Sequence, residues 1–358
     1  MRIFLSILII CFISFSCKKE TEKSLVNERE FISAADISSF PEINLSGALF
    51  YDAEGNKEDF LKILKHAGIN TIRLRLWVNP ANAHSGYEEV KKLSSTAKAS
   101  GFKIWLALHF SDTWADPSSQ TTPQLWQGIS PQDLMDTVYN YTAFVMKGIN
   151  PEYIQIGNEI NPGFLHPYGN ITGNITLFRE LLSKSISAVR DHSEGTEIII
   201  HFAGIQDSDW FFAQVNELDY DIIGISFYPI WHGKSLINLK TQLSALVNKY
   251  GRKLLIAETA YPFTLSWNDL TNNITGSNDH LILPHYPATP KGQQEFIKSL
   301  KNIIKELPDN KGTGLCYWGA ELVAWKGNEA VDGSPWENQA LFDFDNKALP
   351  ALNELKFN

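Results

Sequence analysis

Short apolar runs alternate with longer amphipathic segments from Phe31 to the end of the chain. Apolar runs of this length between turn residues predict strands, whereas apolar positions at three- and four-residue spacing predict helices. The predicted strands are residues 31–37, 71–77, 103–110, 153–160, 197–203, 221–228, 253–259 and 314–319. The predicted helices are residues 57–66, 87–99, 131–146, 175–191, 236–249 and 290–306, with a weaker helix at 209–218.

Strands that alternate with helices require a parallel sheet with helical crossovers, and eight such units predict a single α/β domain folded as a (β/α)8 TIM barrel. Short connections precede the strands, and long polar connections follow them. The long connections are residues 111–130, 161–174, 229–235, 260–289 and 320–340. Long loops after the strands build the active face of such a barrel. A doubly wound sheet is the remaining alternative, but that fold would not place functional groups after so many strands.

The first residues are typical of a bacterial lipoprotein signal. Arg2 precedes an apolar run that is too short to span a bilayer comfortably, and Cys17 follows a small residue. We expect residues 1–16 to be a signal peptide, Cys17 to carry the lipid, 17–30 to be a flexible tether and 31–358 to be the catalytic domain. The alternative is an ordinary secretory signal in which Cys17 has no role. The expected location is therefore a membrane, at the cell surface or in the periplasm.

Composition narrows the choice of partner. The chain has 31 Lys and Arg against 40 Asp and Glu, a formal charge of -9, so nothing in it would neutralise nucleic-acid phosphates. Once Cys11 leaves with the signal and Cys17 is lipidated, Cys316 is alone and predicts a core residue rather than a disulfide. Many of the 10 Trp lie in polar, Gly- and Pro-rich surroundings, where exposed aromatic faces suit sugar rings.

Two glutamates end apolar strands on what would be opposite sides of the barrel mouth. Asn158 and Glu159 end the fourth predicted strand, and Glu258 lies at the end of the seventh. A retaining glycosidase needs two carboxyl groups about 5–5.5 Å apart, one on each side of the bond that is cut. Either glutamate alone would more often cap a helix or pair with an arginine. The two together, with Asn158, favour a glycosidase.

The order of motifs along the chain resembles glycoside hydrolase family 53, the arabinogalactan endo-β-1,4-galactanases of clan A. The matching segments span nearly all of the mature chain: 35–39, 72–80, 108–117, 155–159, 226–232, 257–262 and 336–343. One departure is Ala34, where the family usually has Gly before Ala35. The resemblance implies retaining endo-hydrolysis of β-1,4-galactosidic bonds in galactan or type I arabinogalactan by double displacement.

The resemblance also implies roles for the central residues. Glu159 would be the general acid and then the base, and it must hold its proton near neutral pH. Glu258 would be the nucleophile, with Arg73 lowering its pKa and keeping it ionised. Tyr228 would donate its hydroxyl to Glu258, and Asn158 would bind the sugar 2-hydroxyl.

Further residues of the long loops and strand ends are candidates for substrate binding. Trp318 ends the eighth strand, where clan A enzymes place the floor of the cleaving subsite. Four loop tryptophans are either sugar platforms or packing that holds the loops: Trp114, Trp231, Trp267 and Trp325. Asp112, Asp116 and His232 are expected to orient hydroxyls. His109 either joins the network beneath the sugar or is a buried structural histidine, and Arg75 is a candidate structural ion-pair partner.

No cofactor is expected. Some members of the family hold calcium in the loop after strand seven, but Asp269 and Asp279 are far apart in the sequence of that loop, so we expect no required metal. The expected partners are a polysaccharide and a membrane reached through the lipid, and the expected state is a monomer. Two alternatives stay open: a clan A hydrolase of a glucan, mannan or xylan, and a non-catalytic glycan-binding lipoprotein on the same barrel.

Overall fold

Eight parallel strands close into a barrel in the computed structural model, which describes residues 29–357. Each strand pairs in parallel with the next along the chain, and the eighth pairs with the first. The strands are β1 Ile32–Asp36, β2 Thr71–Leu76, β3 Lys103–Leu108, β4 Tyr153–Ile156, β5 Glu197–Ala203, β6 Ile222–Ser226, β7 Lys253–Thr259 and β8 Gly312–Tyr317. The predicted (β/α)8 barrel is confirmed, and its unit begins at Phe31.

Helices connect the strands on the outside of the barrel. They are α1 Phe40–Leu45, α2 Phe60–His66, α3 Tyr87–Ala99, α4 Pro131–Ile149, α5 Ile175–His192, α6 Ser208–Val215, α7 Pro229–His232, α8 Leu236–Tyr250, α9 Pro290–Lys305 and α10 Pro350–Glu354. The predicted helices all form, with ends that shift by a few residues. The sequence pattern missed α1, α7 and α10 because helices this short show little periodicity.

Short elements complete the described chain. Two-stranded hairpins pair Phe50–Tyr51 with Lys57–Glu58 and Gly163–Phe164 with Gly169–Asn170. Single 3-10 turns occur at Gln124–Trp126, Asn278–His280, Pro308–Asn310 and Glu337–Gln339. Within residues 29–357, none of the helices has the length and apolar content that crossing a membrane requires. The predicted signal segment, Cys17 and the tether up to residue 28 lie outside the described residues.

Inside the barrel, the side chains toward the amino ends of the strands are apolar, and those toward the carboxyl ends are polar. Side chains of alternate strand residues point inward and stack in layers. The lower layers form an apolar cluster of their own: Ile32, Ala34, Trp105, Tyr153, Ile199, Ile222, Leu255, Ala257 and Cys316. The same alternation then brings buried polar residues to the top of the barrel: Asp36, Arg73, Gln155, His201 and Ser226. Cys316 is a core residue, as predicted.

A β-bulge in β7 changes the direction of its last side chains. Ile225 of β6 pairs with Ile256, but the next residue, Ser226, pairs with Glu258, so β7 carries one extra residue. The pairing of β7 with β8 shifts over the same stretch. Because Ala257 already points into the barrel, regular alternation would turn Glu258 outward. A bulge re-aims the side chain that follows it, and here it brings Glu258 to the barrel mouth.

Trp105 is the largest fully buried side chain of the barrel interior. Its replacement by alanine would leave a cavity beneath the guanidinium of Arg73, which lies 5.5 Å from the indole ring. We expect Trp105→Ala to lower the free energy of unfolding by about 3–5 kcal/mol in urea denaturation. Trp267→Ala is the matched control, since that indole is 48% exposed, and its effect should stay within about 0.5 kcal/mol. Equal effects of the two substitutions would contradict the assignment of Trp105 to the core.

Candidate active site

A cavity of about 520 Å³ opens where the long loops follow the strands. The carboxyl ends of barrel strands are where such folds place their active sites. The cavity contains both predicted carboxylates and most of the predicted binding residues. Its lining is Asp36, Arg73, Arg75, His109, Trp114, Ala115, Asp116, Pro117, Ser118, Asn158, Glu159, Ala203, Tyr228, Trp231, His232, Glu258, Trp318 and Trp336.

Two predicted binding residues do not line this cavity. The Asp112 carboxylate instead accepts hydrogen bonds from the backbone N–H groups of Asn79 and Gln124, at 2.9 and 2.8 Å, and so ties two loops together. Trp325 packs partly buried against the core, with the ammonium of Lys326 5.1 Å from its ring. In this structure Asp112 therefore joins two loops and Trp325 packs within its loop, and their role in substrate binding stays a prediction.

Glu258 is held by a cation and a phenol. The Arg73 guanidinium donates to its Oε1 at 2.7 Å, and the Tyr228 hydroxyl donates to its Oε2 at 3.0 Å, as expected for Tyr228. Burial raises the pKa of the Glu258 carboxyl, while Arg73 and the Tyr228 hydrogen bond act to lower it. Arg73 thus lowers this pKa, as expected, but burial has the larger effect and the pKa of Glu258 is raised overall. Arg73 offsets a desolvation cost that arises because Glu258 is buried.

Arg73 is itself fixed on several sides. Its Nη1 lies 2.6 Å from Oδ2 of Asp36, the residue directly opposite it on β1. Its Nη2 also donates to Oδ1 of Asn158 at 2.9 Å, and its Nε donates to Oε1 of Gln155 at 3.3 Å. Burial disfavours the charged guanidinium, but the carboxylates of Glu258 and Asp36 raise the pKa of Arg73. The cation therefore stays charged inside the barrel.

Glu159 follows a sharp turn at the end of β4. Gly157 has φ +75°, and a Cβ there would lie 2.4 Å from Cγ2 of Ile160. Glu159 itself adopts φ 48°, which is uncommon for a residue with a side chain. This turn is why the predicted strand 153–160 ends at Ile156. Strained backbone of this kind recurs at functional sites.

The proton of Glu159 is stabilised by its surroundings. Burial and, after it, the nearby negative charge of Glu258 raise the pKa of Glu159 to about 8. Two weaker effects lower this pKa: the Ser226 hydroxyl donates to Oε1 at 2.5 Å, and the Arg73 charge acts in the same direction. Two carboxyl groups of one cavity thus have different neighbours, a guanidinium for Glu258 and a hydroxyl for Glu159.

A buried hydrogen-bond chain holds Ser226. The Gln155 amide and the Glu159 backbone N–H both donate to Nδ1 of His201, at 3.0 and 3.3 Å. Nδ1 is therefore an acceptor, and the proton sits on Nε2, which lies 2.8 Å from the Ser226 oxygen and donates to it. Burial lowers the pKa of His201 well below its usual value, so the ring is neutral. Sequence reasoning missed these residues, although each continues the inward alternation of its strand.

A comparison with known protein families agrees with this geometry. The model of glycosyl hydrolase family 53 matches residues 32–355. The chain belongs to glycosyl hydrolase family 53. It is therefore a glycoside hydrolase, and the resemblance seen in the motifs is confirmed.

Relatives and solved structures of the family cover nearly the whole barrel. The arabinogalactan endo-β-1,4-galactanase of Cellvibrio japonicus (strain Ueda107) is 33% identical over 342 residues, which cover 90% of this chain and 89% of that protein. A family 53 catalytic domain of Ignisphaera aggregans is 38% identical, with a TM-score of 0.85, covering 91% of this chain and 95% of that one. A fungal β-1,4-galactanase structure is 28% identical, with a TM-score of 0.78, covering 91% and 98%.

Aromatic side chains form the walls of the family 53 cavity. Trp318 and Trp336 meet edge to face with ring centroids 4.6 Å apart, and Trp336 lies 5.8 Å from Tyr228. Trp114 and Trp231 also line the cavity and stay partly exposed, whereas Trp267 lies outside it. Sequence reasoning did not single out Trp336 as a wall. Its place in a Pro-Trp-Glu motif of the last long loop was the available signal.

Two histidines and Arg75 support this wall. The His109 Nδ1 accepts from the Trp77 indole at 3.3 Å, so His109 is both buried and part of the lining. The His232 Nδ1 accepts from the Tyr228 backbone N–H at 3.0 Å, and burial lowers the pKa of His232 to about 4. The guanidinium of Arg75 lies 4.1 Å from the Trp114 ring centroid. Arg75 thus supports an indole rather than forming the predicted ion pair.

In the loop after β7, the carboxylate of Asp269 binds backbone N–H groups. The Asp269 carboxylate accepts from the N–H groups of Thr271 and Ser334, at 2.6 and 3.0 Å. Across residues 29–357, no three His, Cys, Asp or Glu side chains converge as a metal site would require. The expectation that the enzyme needs no metal stays a prediction.

Ser226 provides a test of how the pKa of Glu159 is set. A general acid works when protonated, so kcat/KM should fall as the pH rises through the pKa of Glu159, near 8. Because the Ser226 hydrogen bond lowers this pKa, Ser226→Ala should move the basic limb of the profile to higher pH. Ser226→Thr keeps a hydroxyl and is the control. A limb that stays in place or moves to lower pH in Ser226→Ala would contradict the assignment.

Proposed function

We propose that this protein is a retaining endo-β-1,4-galactanase that acts on galactan and type I arabinogalactan. The observation that carries the proposal is the pair of buried carboxyl groups in one cavity, with Glu258 bound to the Arg73 guanidinium and Glu159 to the Ser226 hydroxyl. The name of the Cellvibrio japonicus relative supports galactan as the substrate, as does that of the Bacillus subtilis (strain 168) endo-β-1,4-galactanase, 29% identical over 378 residues, covering 92% of this chain and 86% of that protein.

The first step of the reaction is attack by Glu258. A carboxylate oxygen of Glu258 forms a bond to the anomeric carbon while Glu159 gives its proton to the glycosidic oxygen, and the bond between that carbon and oxygen breaks. The second step uses Glu159 as a base. It takes a proton from water, the water oxygen attacks the anomeric carbon, and the bond to Glu258 breaks. Each step inverts the anomeric carbon, so the product keeps the β configuration.

The neighbours of the two carboxyl groups suit these steps. The Arg73 charge favours the ionised Glu258 that the first step needs, and the Tyr228 hydroxyl fixes the orientation of the carboxylate. The Asn158 Oδ1 accepts from Arg73, and one hydrogen of its Nδ2 goes to the Ala115 carbonyl. The second hydrogen of Nδ2 is left for the sugar 2-hydroxyl, a contact that strengthens as charge develops on the ring.

Digestion of linear β-1,4-galactan tests the substrate and the stereochemistry together. We expect a ladder of oligosaccharides, with fresh reducing ends that are β when they are first formed, as read by NMR. Fresh α ends would contradict double displacement. Cleavage of a glucan, mannan or xylan with galactan left intact would discard galactan as the substrate, and binding of galactan without any cleavage would indicate the glycan-binding alternative.

The separate roles of the two glutamates predict different substrate dependence. Glu159→Gln should lower kcat/KM on galactan by about 10²–10⁴-fold, because the leaving sugar loses its proton donor. The first step should survive on a dinitrophenyl β-1,4-galactotrioside, whose leaving group needs no proton, and should appear as a burst of dinitrophenol. Glu258→Gln should abolish release from both substrates. A burst of dinitrophenol from Glu258→Gln would contradict the role of Glu258 as nucleophile. An equal loss of activity on both substrates in Glu159→Gln would contradict the role of Glu159 as proton donor.

We further propose that the enzyme is an exported, monomeric lipoprotein attached through Cys17. The support is the order of Arg2, an apolar run, a small residue and Cys17, followed by a polar stretch. Cys17→Ala should release the galactanase activity from the membrane fraction, and mass spectrometry should find lipid on the wild-type N-terminus only. Retention of Cys17→Ala in the membrane fraction would contradict the anchor.

A further inference from the structure

A second depression adjoins the catalytic cavity on the side of Glu159. It has a volume of about 460 Å³ and is lined by Pro117, Asn161, Pro162, Phe202, Gln206, Asp207 and Trp210. Pro117 lines both spaces, so the depression lies next to the cavity. We call it the Trp210 groove. Its walls come from the loop after β3, from the segment directly after Glu159, and from the stretch that runs from the end of β5 into the first turn of α6.

Trp210 lies on the exposed side of its helix and does not pack into the core. The helix α6 turns Phe211, Phe212 and Val215 into the core, while the Trp210 side chain remains 46% exposed. Gln206 and Asp207 are also exposed beside it. An indole face next to an amide and a carboxylate matches a sugar, whose ring carbons are apolar and whose hydroxyls need hydrogen-bond partners.

The Asn161 side chain stabilises the wall of the groove, because both of its polar atoms are bonded to the backbone of Ala203. Its Nδ2 donates to the Ala203 carbonyl at 2.9 Å, and its Oδ1 accepts from the Ala203 backbone N–H at 2.8 Å. These bonds join the segment after Glu159 to the end of β5. The wall between the catalytic acid and Trp210 is therefore built before substrate binds, and little ordering is needed on binding.

The position of the groove beside Glu159 indicates which part of a bound substrate would lie in it. A general acid protonates the oxygen of the departing sugar, so the leaving part of the chain must lie on the side of the acid. Asn161 and Pro162 follow Glu159 within three residues, whereas the Trp318 and Trp336 wall packs around Tyr228, the partner of Glu258. The groove thus lies where the leaving side of a bound polymer would continue.

We propose that the Trp210 groove binds the galactosyl residues on the leaving-group side of the cleaved bond, with the Trp210 indole as a stacking platform. The inference rests on the proposed galactanase function. Gln206 and Asp207 are placed to accept or donate hydrogen bonds to the hydroxyls of the same sugars. The groove would raise the rate on long chains and would also receive an acceptor sugar in transglycosylation.

The test compares a polymer, which can fill the groove, with a substrate that cannot. The two measurements are kcat/KM on linear β-1,4-galactan and nitrophenol release from 4-nitrophenyl β-1,4-galactotrioside, in which the leaving group is only an aryl ring. For Trp210→Ala, the ratio of polymer to aryl activity should fall roughly tenfold, as expected for the loss of one aromatic contact. Trp210→Phe keeps a platform and should restore much of the ratio. Trp267→Ala, a similarly exposed indole outside the cavity, should leave the ratio at the wild-type value.

A second readout follows the position of cleavage. With galactopentaose labelled at its reducing end, Trp210→Ala should shift cleavage toward bonds that leave fewer sugars on the departing side. An unchanged ratio and an unchanged cleavage pattern in Trp210→Ala would overturn the inference, and so would an equal fall in both activities. If the wild-type enzyme fails to cleave galactan at all, the proposed function fails, and that outcome is distinct from normal cleavage by Trp210→Ala.

Discussion

The buried guanidinium of Arg73 is the interaction on which the rest of the site depends. It is 1% exposed and contacts Asp36 on one side and Glu258 on the other. A charge in a barrel interior is tolerated only when it is paired and hydrogen-bonded, and removal of one partner from such a pair costs about 3–5 kcal/mol. Because Arg73 also donates to Asn158 and Gln155, one cation fixes side chains from β1, β4 and β7.

This cation makes two chemically identical groups unequal. Glu258 has the guanidinium and the Tyr228 phenol as donors, while Glu159 has a hydroxyl and lies within the field of the Glu258 carboxylate. Environments that push the pKa values of two carboxyl groups apart assign the acid and the nucleophile. The neutral His201 preserves the difference, since it orients the Ser226 hydroxyl without bringing a positive charge that would lower the pKa of Glu159.

The sequence predicted the barrel and its two glutamates because both follow from local patterns. Strand and helix periodicities alternate along the chain, and Glu159 and Glu258 stand at the ends of apolar runs. The bulge in β7 was not predictable, since it depends on how that strand pairs with both neighbours. The same holds for Asp112, a polar residue of a long loop whose partners are Asn79 in the preceding loop and Gln124 further along its own loop. Residue type identified candidates, and only long-range contacts separated binding residues from loop clamps.

The order in which the two glutamates ionise tests the account most directly. Carboxyl ¹³C NMR on glutamate-labelled protein, assigned with Glu159→Gln and Glu258→Gln, would follow each group through a pH titration. The account predicts that Glu258 ionises first, that Glu159 keeps its proton to a pH of about 8, and that Glu258→Gln lowers the pKa of Glu159 by removing the neighbouring charge. Ionisation of Glu159 before Glu258, or a Glu159 pKa that Glu258→Gln leaves unchanged, would contradict it.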